Sequence, residues 1–437
     1  MSEKNAFIKN SFFSYLTKFI PIIFSFAYTI VLANMLGVRD YGLFIYLGAL
    51  VIGFLNLFGA NLLNEILTNF IAQTGSKKLF KIIMLAEYVL TTIIFLGILI
   101  FGNGFITGLD GSNYLILGLA AVLVFFNPLT TTFMCLNKGI GKFDRIFVAT
   151  TAENFVNLVF IIIFIWGFNM GLPGAFFSKY ISLLASGLIY MFYLRKTVFK
   201  NKPIQKKEIK RYGMFGAIGE VLKRALSQFE LIMIGIFISP AILGLYYVAE
   251  KIASIALGAP SGAFSDVLFP LNSANYKDKK KITKYSSLSV KVSFLIVFIF
   301  SIILSILAYP VLLVLFPAYV SALVFLPFLI ILHYVKSFGA IKLILNSINK
   351  TDQRTLQRGL TVAFGATMLI ILIPTYQVVG LIVANILMEI FAITIAYILL
   401  RKYNGIKISL VPRKADLIYF FGETRKVVTR IFAGIRN

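Results

Sequence analysis

Twelve stretches of this chain are each apolar for about the length that a helix needs to cross a bilayer. They are residues 11–36, 43–72, 80–101, 114–136, 148–167 and 171–194, followed by 212–239, 243–271, 288–308, 322–345, 355–374 and 378–400. Roughly 30 Å of hydrocarbon takes about 20 mostly apolar residues in helical form. Helix is the natural form there, because it satisfies its backbone polar groups within the segment. The chain has 437 residues, of which 59% are hydrophobic and only 14% charged, against about 25% charged in soluble domains. This is the composition of a membrane protein, not of a soluble enzyme or a disordered chain. With one cysteine, Cys135, and one histidine, His333, neither a disulfide framework nor a zinc-type cluster is expected. The first span is too long for a signal-peptide core and carries Lys18 and Pro21, so it reads as a membrane helix.

Formal net charge is +25, which in a soluble protein would point to nucleic acid. Here the distribution says otherwise. Thirty-four of the 42 basic residues fall in every second connection or just inside the adjoining span. The richest are the stretch Arg195–Arg211, the stretch Lys277–Lys291 and the tail from Arg401 onward. The six opposite connections hold one basic residue, Arg39. Cytoplasmic loops carry such an excess, so both termini are expected in the cytoplasm, and nucleic acid is not expected as a partner. A miscounted span would scramble the alternation.

Sequence matches between the halves suggest a duplication. Tyr41-Gly42-Leu43-Phe44 corresponds to Leu243-Gly244-Leu245-Tyr246, an offset of 202. Leu136-Asn137-Lys138 corresponds to Ile348-Asn349-Lys350, and Leu194-Arg195-Lys196 to Leu400-Arg401-Lys402. Both halves begin on the basic side, so the repeat is parallel, and substrate sites of such proteins tend to lie between the halves. The expectation is an all-α membrane protein of about twelve transmembrane helices in two six-helix lobes, 1–194 and 212–400. A basic cytoplasmic linker, 195–211, joins them. The tail 401–437 repeats Leu417, Phe420, Phe421, Val428, Ile431, Phe432 and Ile435 at helical spacing among cations. It reads as an amphipathic helix on the anionic membrane surface.

Seven basic residues remain inside spans: Lys18, Lys179, Lys223, Arg224, Lys251, Lys336 and Lys342. Facing lipid at the bilayer centre, each costs roughly 2.5–3.5 kcal/mol. Lys342 reaches the interface by its length, as Lys18 and Lys336 can. Lys179, Lys223, Arg224 and Lys251 lie near mid-span and need water or a partner. Several helices carry polar stripes: Glu220, Lys223, Arg224, Ser227 and Glu230 on one arc, Tyr247, Glu250, Lys251 and Ser254 on another. Two more are Asn61, Asn64, Glu65 and Thr68, and Thr150, Glu153, Asn154 and Asn157. Stripes on apolar helices read as a polar lumen, and equally as ion pairs such as Glu220–Arg224 at i,i+4. Cations in such a lumen suit a polyanion. Lys18, Lys179, Lys223, Arg224 and Lys251 are the candidate substrate contacts. Glu65, Glu153, Glu220, Glu230 and Glu250 are the candidates for ion coupling, since burial can bring a carboxyl into titration range. No GxxxxGK[ST] motif occurs, and neither a catalytic residue nor a metal site is expected.

The chain resembles Wzx-type polysaccharide repeat-unit flippases of the multidrug/oligosaccharidyl-lipid/polysaccharide (MOP) exporter superfamily. The resemblance rests on Leu36-Gly37-Val38-Arg39-Asp40-Tyr41-Gly42 and on Gly244 through Ile252. It rests also on Pro260, on Val267-Leu268-Phe269-Pro270, and on Leu315-Phe316 with Tyr319 and Ala322; Pro317 stands where a glycine is common. It implies a MATE-like V of two lobes and alternating access in the cell membrane, with no enzymatic step. The implied cargo is an oligosaccharide on a polyprenyl diphosphate, destined for O-antigen, capsule or exopolysaccharide. Membrane lipids and the pathway's polymerase and glycosyltransferases are the implied partners. No cofactor is implied beyond coupling to H⁺ or Na⁺. Two other readings compete. A cation-coupled drug exporter of the same superfamily usually carries an acid in its first span, where this chain has Lys18. A non-transporting scaffold gains nothing from charge inside the membrane.

Overall fold

The computed structural model describes the backbone of residues 3–58, 76–101, 111–195, 206–258, 278–348 and 350–410, with single positions between 60 and 71 and at 197 and 199. Side chains are described from residue 22 onward, apart from stretches such as 206–220. The described residues form helices α1 (Glu3–Leu57), α2 (Lys77–Phe101), α3 (Gly111–Gly139), α4 (Phe143–Ile161), α5 (Gly171–Arg195) and α6 (Lys206–Phe237). These are followed by α7 (Pro240–Ala253), α8 (Lys279–Leu315), α9 (Leu326–Ser337), α10 (Ala340–Ser347) and α11 (Thr351–Tyr403). Among the described residues, nine helical stretches are long and apolar enough to cross a membrane. Large apolar side chains lie exposed along them, among them Ile100, Trp166, Ile306 and Val314, as a surface facing lipid requires. The amphipathic reading of the tail falls outside the described residues beyond Leu410.

Two of the nine stretches each reach across two of the predicted spans, while the predicted span 212–239, on α6, is not among the nine. α1 has 55 residues, which at 1.5 Å per residue is about 80 Å of helix, more than twice the hydrocarbon thickness. It breaks at Gly37, where φ is 76° and ψ 174°, a left-handed φ that glycine adopts without penalty. Tyr319 touches both arms: its hydroxyl donates to the Ala33 carbonyl at 2.9 Å and its ring stands edge-on to Tyr41. α11 turns back at Gln377, where φ is 49° and ψ −123°. Beyond the turn, the amide of Gln357 donates to the carbonyl of Ala392 at 3.1 Å, and Phe364 stacks on Phe391 with centroids 4.4 Å apart. In a straight helix, residues 357 and 392 would lie about 50 Å apart.

The predicted span 322–345 is less regular than its hydropathy suggests. Pro317–Phe325 forms 3₁₀ turns, and the helix breaks again at Phe338–Gly339 between α9 and α10. A β-carbon at Gly339 would lie 2.9 Å from the Lys336 carbonyl oxygen, so a residue without one sits at this turn.

The chain forms two compact units: residues 1–248 with 312–322, and residues 249–311 with 323–437. In the first unit, the 312–322 segment docks on the first arm of α1. The Asn34 side-chain amide donates to the Leu315 carbonyl at 2.7 Å, supplying a partner to one of the carbonyls that a helix leaves open at its C-terminus. The second arm of α1 packs against α6, where the buried Gln228 amide donates to the Leu50 carbonyl at 3.4 Å. Gly53 leaves the room that Gln228 fills. In the second unit, Ile282, Val290, Ile341, Ile344, Leu345, Ala396 and Leu400 form a buried core.

The closest helix crossing in the first unit joins the two copies of the repeated motif. A β-carbon at Gly42 would lie 2.0 Å from the Pro240 carbonyl oxygen. A β-carbon at Gly244 would lie 2.0 Å from the Val38 carbonyl oxygen. Each glycine thus faces the carbonyl four residues before its counterpart, as a local two-fold axis would place them. Small residues permit such close backbone approach in membranes.

Gly244→Val should therefore destabilise the protein by about 1–3 kcal/mol, the usual cost of overpacking, and lower its melting temperature in detergent. Gln377→Gly should act in the opposite sense, raising stability by about 1 kcal/mol, since it relieves a non-glycine residue of a left-handed turn conformation.

Candidate functional site

Several in-span charges of the first unit lie on α4, α5 and α6. Lys179 on α5 and Glu153 on α4 form an ion pair of 2.9 Å, with side chains 31% and 20% exposed. A predicted substrate cation and a predicted coupling carboxylate thus hold each other across one of the tightest helix interfaces of the unit. The rest of that stripe is engaged locally. Asn154 donates to the Thr150 carbonyl at 2.7 Å and Thr150 to the Ile146 carbonyl at 2.9 Å, while Asn157 accepts from Ser178 on α5 at 3.2 Å. These groups knit α4 to α5 and to their own turns.

α6 is different. Lys223 is exposed on it and Arg224 half-buried. The Arg224 Nε is buried, with no hydrogen-bond partner among the described residues. Ser227 donates to the carbonyl of Lys223 at 3.2 Å, and Glu230 lies half-buried two turns along. The side chains of Lys18 and Glu220 lie outside the described residues, although both positions are helical, and Glu65 lies outside them altogether.

In the second unit, Glu250 and Lys251 are half-buried at the C-terminal end of α7. Lys336, exposed on α9, and Lys251 both act electrostatically on Glu250. The helix continues into a π-helical turn, Ser254–Gly258, a local widening that often occurs at functional positions. His333 on α9 packs there, 4% exposed. Its ring Cε1 lies 3.1 Å from where a Gly258 β-carbon would be. Its Nε2 has no hydrogen-bond partner among the described residues. Lys342 donates to Glu389, so this cation is neutralised within the fold rather than reaching the interface.

Cation counting passes over Glu87. It lies in the middle of α2, fully buried, and one carboxyl oxygen accepts from the Thr132 hydroxyl on α3. The other oxygen has no partner among the described residues. The signal was available: a lone carboxyl inside an apolar span is costly enough to demand an explanation, and Thr132 meets it from the next span. Among the described residues, no group of three or more metal-ligating side chains comes together.

The family described as polysaccharide biosynthesis protein matches residues 7–275. The chain belongs to that family. Its fold is that of the MOP superfamily. An inward-facing multidrug resistance MATE family transporter of that superfamily superposes with a TM-score of 0.70 at 14% identity, covering 87% of this chain and 94% of its own. The lipid II flippase MurJ, in an inward closed conformation, gives 0.70 at 12% identity, covering 90% and 88%. A MOP superfamily transporter from Pyrococcus furiosus, described by the reverse polarity of its binding pocket, gives 0.66 at 14%, covering 91% and 95%. No curated protein matches the chain in sequence. This member of the polysaccharide biosynthesis family is thus a multi-pass membrane protein with the fold of MOP transporters, and its described residues have the all-helical architecture that the hydropathy pattern predicts.

Lys179→Met leaves the half-buried Glu153 without its cation and should cost about 1–2 kcal/mol, less than the penalty for orphaning one partner of a fully buried pair. Adding Glu153→Gln should recover most of it. Thermal unfolding of the two single variants and the double variant in detergent measures the coupling.

Proposed function

We propose that this transporter flips a polyprenyl-diphosphate-linked oligosaccharide repeat unit from the cytoplasmic to the outer leaflet, for assembly of a cell-surface polysaccharide such as O-antigen, capsule or exopolysaccharide. The observation that carries the reading is the cationic turn of α6. Lys223 and Arg224 stand together on a membrane helix, and the guanidinium of Arg224 offers a donor that no described residue takes. A diphosphate takes up guanidinium donors in bidentate fashion. The membership in a polysaccharide biosynthesis family and the fold shared with a lipid II flippase support the same cargo class. Lys18, Lys179 and Lys251 are the further in-span cations of the sequence reading, with Lys179 committed to Glu153 in the state described here.

The working cycle is alternating access of two six-helix lobes, 1–194 and 212–400. The basic loops and both termini stay on the cytoplasmic face of the cell membrane. No covalent bond is made or broken, so the protein acts as a transporter and not as an enzyme. Directionality comes from a proton or sodium gradient acting through one of the in-span carboxylates Glu65, Glu153, Glu220, Glu230 and Glu250, or from consumption of the product outside. The polymerase and glycosyltransferases of the pathway are its functional partners.

Replacing Lys223 and Arg224 together by alanine should lower flipping at least tenfold at unchanged abundance in the membrane. Leaflet exposure of the lipid-linked oligosaccharide in inverted vesicles measures it. Normal flipping by that variant would remove the cationic turn from the mechanism. Loss of cationic-dye export with intact polysaccharide would favour the drug-exporter alternative.

A further inference from the structure

The segment Leu312–Ala322 belongs to the second half of the sequence but packs with the first unit, while the residues on both sides of it, 249–311 and 323–437, form the second. It docks by one face. Leu312, Phe316, Tyr319 and Ala322 recur three or four residues apart and are each 0% exposed. Leu313, Val314, Pro317, Ala318 and Ser321 between them are exposed. The Phe316 ring meets Phe26 of α1 edge-on, with centroids 6.2 Å apart.

The polar contacts of this docking are reciprocal. The Asn34 amide of α1 donates to the carbonyl of Leu315, the last residue of α8, at 2.7 Å. The Tyr319 hydroxyl donates to the carbonyl of Ala33, in the turn before the break at Gly37, at 2.9 Å. Each helix end thus has a carbonyl capped by a side chain of the other segment. Both bonds are neutral, and such bonds contribute modestly once their exchange with water is counted. The glycine crossing of Gly42 and Gly244 lies beyond Gly37, on the second arm of α1, and is not part of this contact. Both ends of the segment are built to bend. Pro310 lies inside α8 just before it, without the N–H that a helix interior uses. On the other side, the 3₁₀ turns of Pro317–Phe325 give way to α9, which carries Pro327 in its first turn. Such 3₁₀ stretches often mark hinges. A segment that only joined two spans would need neither a clasp on a distant helix nor a bend at each end.

We propose that Leu312–Ala322 is a releasable strap, clasped to the first arm of α1 by Asn34 and Tyr319 and swinging off it, on its two bends, when the outer face opens. The inference rests on the alternating access and the orientation of the proposed function. With the basic loops in the cytoplasm, the break at Gly37 and the connection before residue 322 both lie on the outer side. Docked, the strap closes that end. Released, it uncovers its own stripe, Leu312, Phe316, Tyr319 and Ala322, and the α1 face beneath it. The sequence gives no sign of the clasp, because Asn34 and Tyr319 meet carbonyls 281 and 286 residues away.

The test is thiol labelling of the purified full-length protein in detergent with a water-soluble maleimide. Cys135→Ser removes the one native cysteine. In that background Ala322→Cys reports on the docked face, and Ala121→Cys, equally buried on α3, reports on the rest of the unit. Asn34→Ala with Tyr319→Phe should speed labelling at position 322 about tenfold and leave position 121 unchanged. Asn34→Ala alone, a change at an exposed position, should give a smaller gain of the same kind. Unchanged labelling at 322 overturns the strap, as does an equal gain at both positions, which is general loosening. A second arm locks the contact. Asn34→Cys with Leu315→Cys, joined by a short reducible bifunctional thiol reagent, should stop the flipping of lipid-linked oligosaccharide, and reduction should restore it. A pair that does not cross-link overturns the strap. Continued flipping with the cross-link in place overturns it too and leaves the proposed function standing. The expected labelling in a protein that flips no lipid-linked oligosaccharide supports the strap and removes the cargo.

Discussion

The contact on which the first unit depends is the meeting of two helix backbones at Gly42 and Gly244. In a membrane, helices gain nothing by hiding apolar surface from lipid, so association rests on close packing and on polar contacts. At this crossing, packing reaches its limit: a single β-carbon on either glycine would lie 2.0 Å from a carbonyl oxygen. Other features of the unit lie around it. Gly37 turns α1 back one turn before Gly42, and Tyr319 ties the two arms of α1 together at that end. Further along the same arm, Gly53 and Gln228 continue the contact with α6.

Charge inside the membrane is handled in two ways. Some charges are closed off in pairs between neighbouring helices, Lys179 with Glu153 and Lys342 with Glu389. Others are grouped, as around Glu250, or stand on a helix face, as at Lys223 and Arg224. The distinction matters for function. A closed pair is spent on holding two helices in register. A cation that is not locked into one buried pair keeps electrostatic reach for a mobile ligand, as the unpartnered Nε of Arg224 does. Glu87 is a third kind, a carboxyl sealed between α2 and α3 with a threonine hydroxyl as its hydrogen-bond donor.

Much of this fold was legible in the sequence because the bilayer imposes a length and a sign on every segment. Hydropathy located most of the spans, and the predicted breaks between 36 and 43 and between 374 and 378 fall where Gly37 and Gln377 interrupt the helix. Where sequence reasoning faltered, the cause was pairing at a distance. Periodicity places Lys179 and Glu153 on their own helices, but a helix wheel carries no information about which faces meet. The same limit hid the partner of Lys342, and led to Glu87 being passed over entirely. The irregular 3₁₀ segment Pro317–Phe325 was hidden for another reason: its residues are as apolar as those of a regular span, and hydropathy averages over backbone geometry.

The reciprocal glycine crossing has a consequence for how such a chain can change. A dimer of half-length chains would make this same contact as an isologous interface, with every substitution appearing twice across the axis. Once the halves are one chain, the copies are released from that symmetry. The two glycines have stayed alike at an offset of 202, while the residues beside them have parted: Arg39 and Tyr46 correspond to Ala241 and Val248. One copy of the motif keeps only the packing surface, and the other carries the polar groups as well. Fusion thus lets the two sides of a symmetric joint differ, with an arginine and a tyrosine on one side where the other has an alanine and a valine, around glycines that stay alike.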